Sequence, residues 1–297
     1  MAMLSGFQHT ATGAAAGREV PEDAVRTAQE RIYSMRWDEY GWNGERLYPT
    51  LLPLEKVLSC STARLHTPYP PNEFNVIGTP RSGTKWVQKV LELLIQHDCK
   101  GRLRKKIRPL LRIDTSVRHF HEGVVEDFSP RQKIVFVYRD IRDAIVSAYH
   151  YIRNDMHPGT MTCTPDAFAK LSKEEALEQH IILYMKYRMP AMVYWLNVDA
   201  QNLAKIRYED MLTDREGNIR AVIDKFGMRL SEESILSVVE QTSFRAMSGR
   251  REGTEDVRSH QRKGVAGDWV NHFTERHVRI FRAMGGEDLL RMTGHGA

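Results

Sequence analysis

Three stretches of this sequence carry side chains suited to holding phosphate. Gly78-Thr79-Pro80-Arg81-Ser82-Gly83-Thr84 joins two glycines to an arginine and several hydroxyls, with Lys85 and Trp86 next in line. Where such a loop links a strand to a helix, free backbone N–H groups and the helix dipole converge on an anion. Arg139 and Ser147 form the second set. An arginine at a strand end and a serine two helical turns on reach one phosphate, through a bidentate fork and a hydroxyl. Arg262-Lys263-Gly264 is the third, two cations before a glycine, so that backbone and side chains wrap an anion together. The spacing from Gly78 to Gly83 matches the start of a Walker A loop, which continues as Gly-Lys-Ser/Thr. Here the order is Gly83-Thr84-Lys85, with lysine and hydroxyl interchanged. No strand ends in the apolar-apolar-Asp pattern of a metal-holding partner, which leaves a magnesium-dependent small-molecule P-loop kinase as the alternative reading.

These sets need a scaffold that brings them together. Phe74 to Ile77 reads as a strand running into the glycine loop, and the helix beyond it carries Trp86, Val87, Val90, Leu91, Leu94 and Ile95 on one side. Lys133 to Tyr138 is a second strand, followed by Arg139-Asp140 and a helix from Arg142 to about Ile152. Asn202 to Tyr208 is a third, ending in Tyr208-Glu209-Asp210. Strands alternating with helices predict an α/β domain with a central, mostly parallel sheet flanked by helices. Phosphates in such folds sit beyond the carboxyl ends of the strands, where these motifs fall.

The remaining sequence bounds the organisation. Residues 1–20 are rich in Ala, Gly, Ser and Thr and predict a disordered tail, leaving 21–297 as one domain. Pro21 opens a helical pattern with Val25, Ala28, Ile32 and Met35, and Tyr40 to Pro71 reads as irregular. A net charge of +5 suits an anionic ligand but is too mild to imply nucleic acid. No apolar run approaches the roughly 20 residues of a membrane span. No basic start with an apolar stretch marks a secretory signal, and three scattered cysteines fit a reducing, cytoplasmic setting.

Taken in order, the motifs resemble those of the cytosolic-type sulfotransferases, which use 3′-phosphoadenosine 5′-phosphosulfate (PAPS). Thr79-Pro80-Arg81-Ser82-Gly83-Thr84-Lys85-Trp86 is similar to that family's 5′-phosphosulfate loop, Pro-Lys-Ser-Gly-Thr-Thr-Trp, with Arg for Lys at Arg81 and Lys for Thr at Lys85. The resemblance implies that Arg81, Ser82, Gly83, Thr84 and Lys85 line the 5′-phosphosulfate and that Trp86 stacks near the adenine. Arg139 through Ser147 resembles the 3′-phosphate motif. Tyr208-Glu209-Asp210 and Thr242-Ser243-Phe244, with Met247 following, resemble the family's adenine-side segments, which places Tyr208, Thr242, Ser243 and Phe244 there. The longest match is Arg262-Lys263-Gly264-Val265-Ala266-Gly267-Asp268-Trp269-Val270-Asn271-His272-Phe273-Thr274, which departs from the family signature at Val270. By resemblance Arg262, Lys263 and Gly264 share the 3′-phosphate with Arg139 and Ser147, in a P-loop-like sulfotransferase fold. Two separated anion sites with aromatics between them fit a donor phosphorylated at both ends of its ribose.

Transfer to an alcohol requires in-line approach and removal of the acceptor proton. The family uses a histidine from the strand between the first two motifs, where this chain has Val117-Arg118-His119-Phe120-His121-Glu122. Strand alternation puts His119 and His121 on one face, so either can serve. His121 is favoured because His-Glu-Gly is similar to the His-acidic-Gly turn of some bacterial members. Arg81 remains a fixed cation for the departing phosphate. No metal is required, because arginine and backbone donors neutralise the leaving nucleotide phosphate. The implied activity is sulfuryl transfer from PAPS to a hydroxyl or amine of a small-molecule acceptor, releasing 3′-phosphoadenosine 5′-phosphate. Trp37 to Tyr48 and Tyr149 to Thr164 are candidate acceptor walls. The family's C-terminal dimer patch is not matched, since Val270, Glu275 and Arg279 stand at its other positions beside Thr274. A non-catalytic nucleotide-binding protein of the same fold is the other alternative.

Overall fold

The computed structural model describes residues 74–102, 118–121, 133–154 and 170–296. The expected tail, the Pro21 helix and the Tyr40 to Pro71 stretch lie outside the described residues. The chain runs β1 (Phe74–Gly78), α1 (Thr84–Arg102), β2 (Arg118–His121), β3 (Lys133–Tyr138) and α2 (Ile141–Arg153). Helix α3 (Lys173–Leu183) passes through a π turn into α4 (Met189–Asn197) and leads to β4 (Leu203–Arg207). Then come α5 (Tyr208–Thr213), α6 (Arg215–Lys225), α7 (Glu232–Gln241), α8 (Phe244–Ser248), a 3-10 turn at Asp268–Asn271, α9 (Glu275–Ala283) and α10 (Gly286–Thr293).

The described strands form one parallel sheet in the order β2-β1-β3-β4. From β1 the chain moves outward to β2, then crosses back to pair β3 on the other side of β1. The connections leaving β1 and β3 therefore diverge, opening a crevice beyond the carboxyl ends of those strands. Gly78 ends β1 and Arg139 follows β3, so two of the predicted anion motifs flank that crevice.

Helices cover both faces, which is why the strands are almost continuously apolar rather than alternating. Ile77, Ile134 and Phe136 pack on one face with Ile141 and Ile145 of α2, Ile181 of α3, Trp195 of α4 and Phe281 of α9. Val76, Val135, Val137 and Ile206 pack on the other with Val87, Leu91 and Leu94 of α1, Val222 of α6 and Val238 of α7. The period-two alternation along β3 assigns each residue to its layer. The sequence reading of an α/β domain with a helix-flanked parallel sheet is what the chain forms, and its strand and helix bounds agree within about two residues.

One polar group is sealed inside this packing. His180 is buried in α3, and its Nδ1 lies 2.9 Å from the carbonyl of Ala176 one turn back, which makes Nδ1–H the donor. Burial pulls its pKa down to about 4, and the bond to Ala176 only partly opposes this. The unfolded chain takes up this proton near pH 6.5, whereas the folded chain resists it until about pH 4. Folding stability should therefore fall as pH drops through that window. Urea unfolding at pH 7.5, 6 and 5 should show a shallower fall for His180→Leu than for the parent chain.

Candidate active site

The loop after β1 folds back on itself. Ser82 donates from its backbone N–H to Thr79 O at 3.1 Å and from its hydroxyl to the same oxygen at 2.8 Å. This turn leads into α1, whose first N–H groups face the crevice as anion donors. Gly83 has φ +98°, and a Cβ there would lie 2.7 Å from the Tyr208 ring. Only glycine allows the loop to pass beneath that tyrosine. Thr84 is buried at the first position of α1, while Lys85 beside it is exposed.

Arg81 adopts φ +68°, a left-handed conformation rare outside glycine that costs about 1 kcal/mol or more. Three neighbours hold it there. Its Nε donates to Ser147 Oγ at 3.1 Å, its Nη2 donates to the carbonyl of His260 at 2.9 Å, and its guanidinium lies 4.5 Å over the Tyr151 ring. Its Nη1 also lies 3.3 Å from Nδ1 of His260. Burial draws the pKa of Arg81 down from its ordinary value. Guanidinium starts so far above neutrality that the group remains a cation.

Arg139 and Ser147 lie on the other wall of the crevice. Arg139 is 8% exposed, stacks 4.2 Å over Tyr208 and donates from Nη2 to Val265 O at 3.0 Å and to Asp143 at 3.3 Å. Burial opposes its charge, but Tyr208, Asp143 and Glu209 outweigh burial and hold its pKa above the ordinary value. Its Nε is buried without a hydrogen-bond partner among the described residues. A buried guanidinium with a spare donor fits an anionic ligand.

The third set closes over this wall. Arg262 is 7% exposed and donates from Nη2 to Asp268 at 2.5 Å, while Lys263 donates to the other oxygen of Asp268 at 2.6 Å. Glu255 pairs with the other arm of Arg262. Asp268 is itself nearly buried. Burial alone would raise its pKa, but hydrogen bonds from Lys263, Arg262 and Asn271 override that and hold it well below the usual carboxylate range. Asp268 thus orients both cations beforehand. Gly264 has φ +68°, and a Cβ there would sit 2.3 Å from the Phe244 ring, so that ring packs flush against backbone.

The aromatic set lies between these walls. Trp86 and Tyr208 meet edge to face at 5.6 Å, and the Trp86 indole N–H donates to the carbonyl of Thr242 at 2.8 Å. The Thr242 hydroxyl donates to Val238 O, and the Ser243 hydroxyl caps α8 by accepting from Ala246 N. The Thr242 carbonyl thus anchors Trp86 from far along the chain, and Ser243 starts the short helix that carries Phe244. His119 and His121 both fall on β2, where His121 pairs in register with Gly78 and His119 with Val76. Among the described residues no cluster of His, Cys, Asp or Glu can hold a metal ion, and no helix is long and apolar enough to cross a membrane.

Residues 103–293 match the family model described as the sulfotransferase domain. The chain belongs to this family. Among its curated relatives, Sulfotransferase 2B1 of Mus musculus is 25% identical over 248 residues, covering 72% of this chain and 70% of its own length. Sulfotransferase 1A1 of Bos taurus is 24% identical over 251 residues, covering 72% and 82%. Of solved structures, mouse sulfotransferase SULT7A1 complexed with PAP aligns with a TM-score of 0.55 at 19% identity, over 82% of this chain and 94% of that one. A retinol dehydratase in complex with androsterone and inactive cofactor PAP aligns at 0.51 and 20% identity, over 79% and 85%. These likenesses support the sulfotransferase fold.

Within this sulfotransferase domain the sequence undervalued two residues. Asp143 suits the α2 dipole on paper, yet in the fold it is 1% exposed and accepts from Gly267 N at 2.7 Å and Trp269 N at 2.9 Å as well as from Arg139. Arg142, readable as a solvated side chain, lies 2.6 Å from Asp140 and 3.9 Å over Trp269. Tyr151, which flanks Arg81, lies in the segment expected to wall the acceptor, whereas His260 on the other side carried no motif. Removing the Asp143 carboxylate would leave Arg139 and two backbone N–H groups buried without their acceptor. Asp143→Ala should cost about 3–5 kcal/mol in urea unfolding, far more than a change at exposed Lys85.

Proposed function

We propose that this sulfotransferase moves a sulfuryl group from PAPS to a hydroxyl or amine of a small-molecule acceptor by in-line displacement. The observation that carries the reading is the convergence, at the divergence of β1 and β3, of two preoriented anion sites bridged by aromatics. The relatives named above include sulfotransferase structures holding PAP, and the family supports the same nucleotide here.

PAPS supplies the activated sulfuryl group and a nucleotide phosphate as leaving group. Arg262, Lys263, Arg139 and Ser147 hold the 3′-phosphate, while Gly83, Thr84 and the start of α1 receive the 5′ end. Tyr208, Trp86 and Phe244 supply the walls for the adenine. Arg81, charged and clamped by Ser147, His260 and Tyr151, meets the negative charge that grows on the leaving phosphate. It acts as a fixed charge, since a guanidinium is a poor proton donor near neutrality. A histidine of β2 takes the acceptor proton as the new bond to sulfur forms and the sulfur–phosphate oxygen bond breaks. We assign this role to His121 because its backbone is level with Gly78 at the mouth of the phosphate loop, whereas His119 lies two residues deeper beside Val76. Tyr151 beside Arg81 makes the end of α2 a wall for the acceptor. No step requires a metal, and the scattered cysteines suit the cytoplasm.

Calorimetric titration with 3′,5′-adenosine bisphosphate should show binding that survives a chelator and weakens at least about tenfold in Arg139→Ala, a charge-assisted contact. A preference for ATP with magnesium would overturn the donor reading in favour of a kinase. In turnover with PAPS and a panel of phenols, alcohols and amines, His121→Ala should lose about 100-fold or more in kcat, the range of a general base. His119→Ala should lose much less. The reverse order would move the base to His119.

A further inference from the structure

Between α8 and the Arg262-Lys263-Gly264 motif the chain makes an exposed excursion, every residue from 251 to 258 being open to solvent. An excursion of this kind has little core to fix its ends, yet Arg262 and Lys263 must emerge at a defined point. Arg250 supplies the pin. Its Nη1 donates to the carbonyls of Thr254 at 2.8 Å and Arg262 at 3.1 Å, and its Nη2 donates to the carbonyl of Gln261. Its own N–H is held by Ser248 Oγ at 3.1 Å, directly after the left-handed Gly249 that ends α8. Its guanidinium thus directs these hydrogen bonds at carbonyl groups.

We infer that Arg250 is a positioning residue for recognition of the donor's 3′-phosphate. The inference rests on the PAPS reading above. One planar fork gathers carbonyls from the outgoing limb, at Thr254, and from the returning limb, at Gln261 and Arg262. Two backbone bonds complete the tie, Gly253 N to Lys263 O and Asp256 N to Arg262 O, both 2.8 Å. The two returning-limb carbonyls bonded by Arg250 belong to Arg262 and to the residue directly before it, and Asp268 orients Arg262 and the adjacent Lys263 from their side-chain ends. Arg250 fixes the backbone and Asp268 fixes the tips. The Arg250 guanidinium also faces the Phe244 ring at 5.5 Å, the ring against which Gly264 packs. Lysine would bring the charge without the fork that spans both limbs.

The test compares calorimetric affinities for 3′,5′-adenosine bisphosphate and for 5′-AMP, which lacks the 3′-phosphate, in the parent chain, Arg250→Ala and Arg250→Lys. Arg250→Ala should weaken the bisphosphate by about tenfold or more, as expected for lost charge-assisted bonds, and 5′-AMP by less than about threefold. Arg250→Lys should recover part of the selectivity. General loosening of the fold would weaken both nucleotides alike, and that outcome, or an unchanged ratio, overturns the inference. Where the alanine variant fails to fold, the lysine variant is judged by the same ratio. A parent chain with no preference for the bisphosphate over 5′-AMP would overturn the donor reading itself, and this inference with it.

Discussion

The arrangement of the nucleotide site depends on one buried carboxylate. Asp143 lies in the first turn of α2, accepts two backbone N–H groups from the loop after the cation motif and touches Arg139 on the strand end. A charged group removed from water must be fully paired, and here each partner comes from a segment that has to be placed. Through this residue the carboxyl end of β3 and the segment near residue 267, over a hundred residues later, take up one geometry. Asp268 repeats the device one layer out, with Arg262 and Lys263 as partners. Arg139, Arg262 and Lys263 are thus each oriented by a buried carboxylate.

This design achieves preorganisation through ion pairing. Arg262 and Lys263 are matched by Asp268 and Glu255, and Arg139 is balanced in part by Asp143. Donors held in place before a ligand arrives lose little side-chain entropy on binding it. The same logic explains the backbone at Arg81. A left-handed arginine is tolerable only when its surroundings overdetermine it, and Ser147, His260 and Tyr151 do so from three directions. Gly83 and Gly264 serve the complementary purpose, each letting an aromatic ring close to within contact of the main chain.

Much of the fold and part of the site were legible in the residues. The apolar run Ile134 to Val137 with its neighbours, and the amphipathic spacing after Gly83, have periods that follow from backbone geometry alone. The roles of individual motif members were harder. Thr242 and Ser243 stand beside the aromatic set as their motif implies, and the fold adds bonds from the Trp86 indole to the Thr242 carbonyl and from Ala246 N to the Ser243 hydroxyl. Arg142 opens the helix expected after β3, and the ring of Trp269 that it covers arrives from far along the chain.

The sequence by itself determined the helix-flanked parallel sheet of the α/β domain and marked three segments rich in anion donors, because hydrophobic period, glycine placement and local charge are properties of neighbouring residues. Tertiary structure decided which of those segments share a wall, how Asp143 and Asp268 hold the cations, and why Arg250 and His260 stand where they do. Those contacts join residues separated by long stretches of chain. Their energies come from burial and desolvation, which exist only once the sheet and helices have packed.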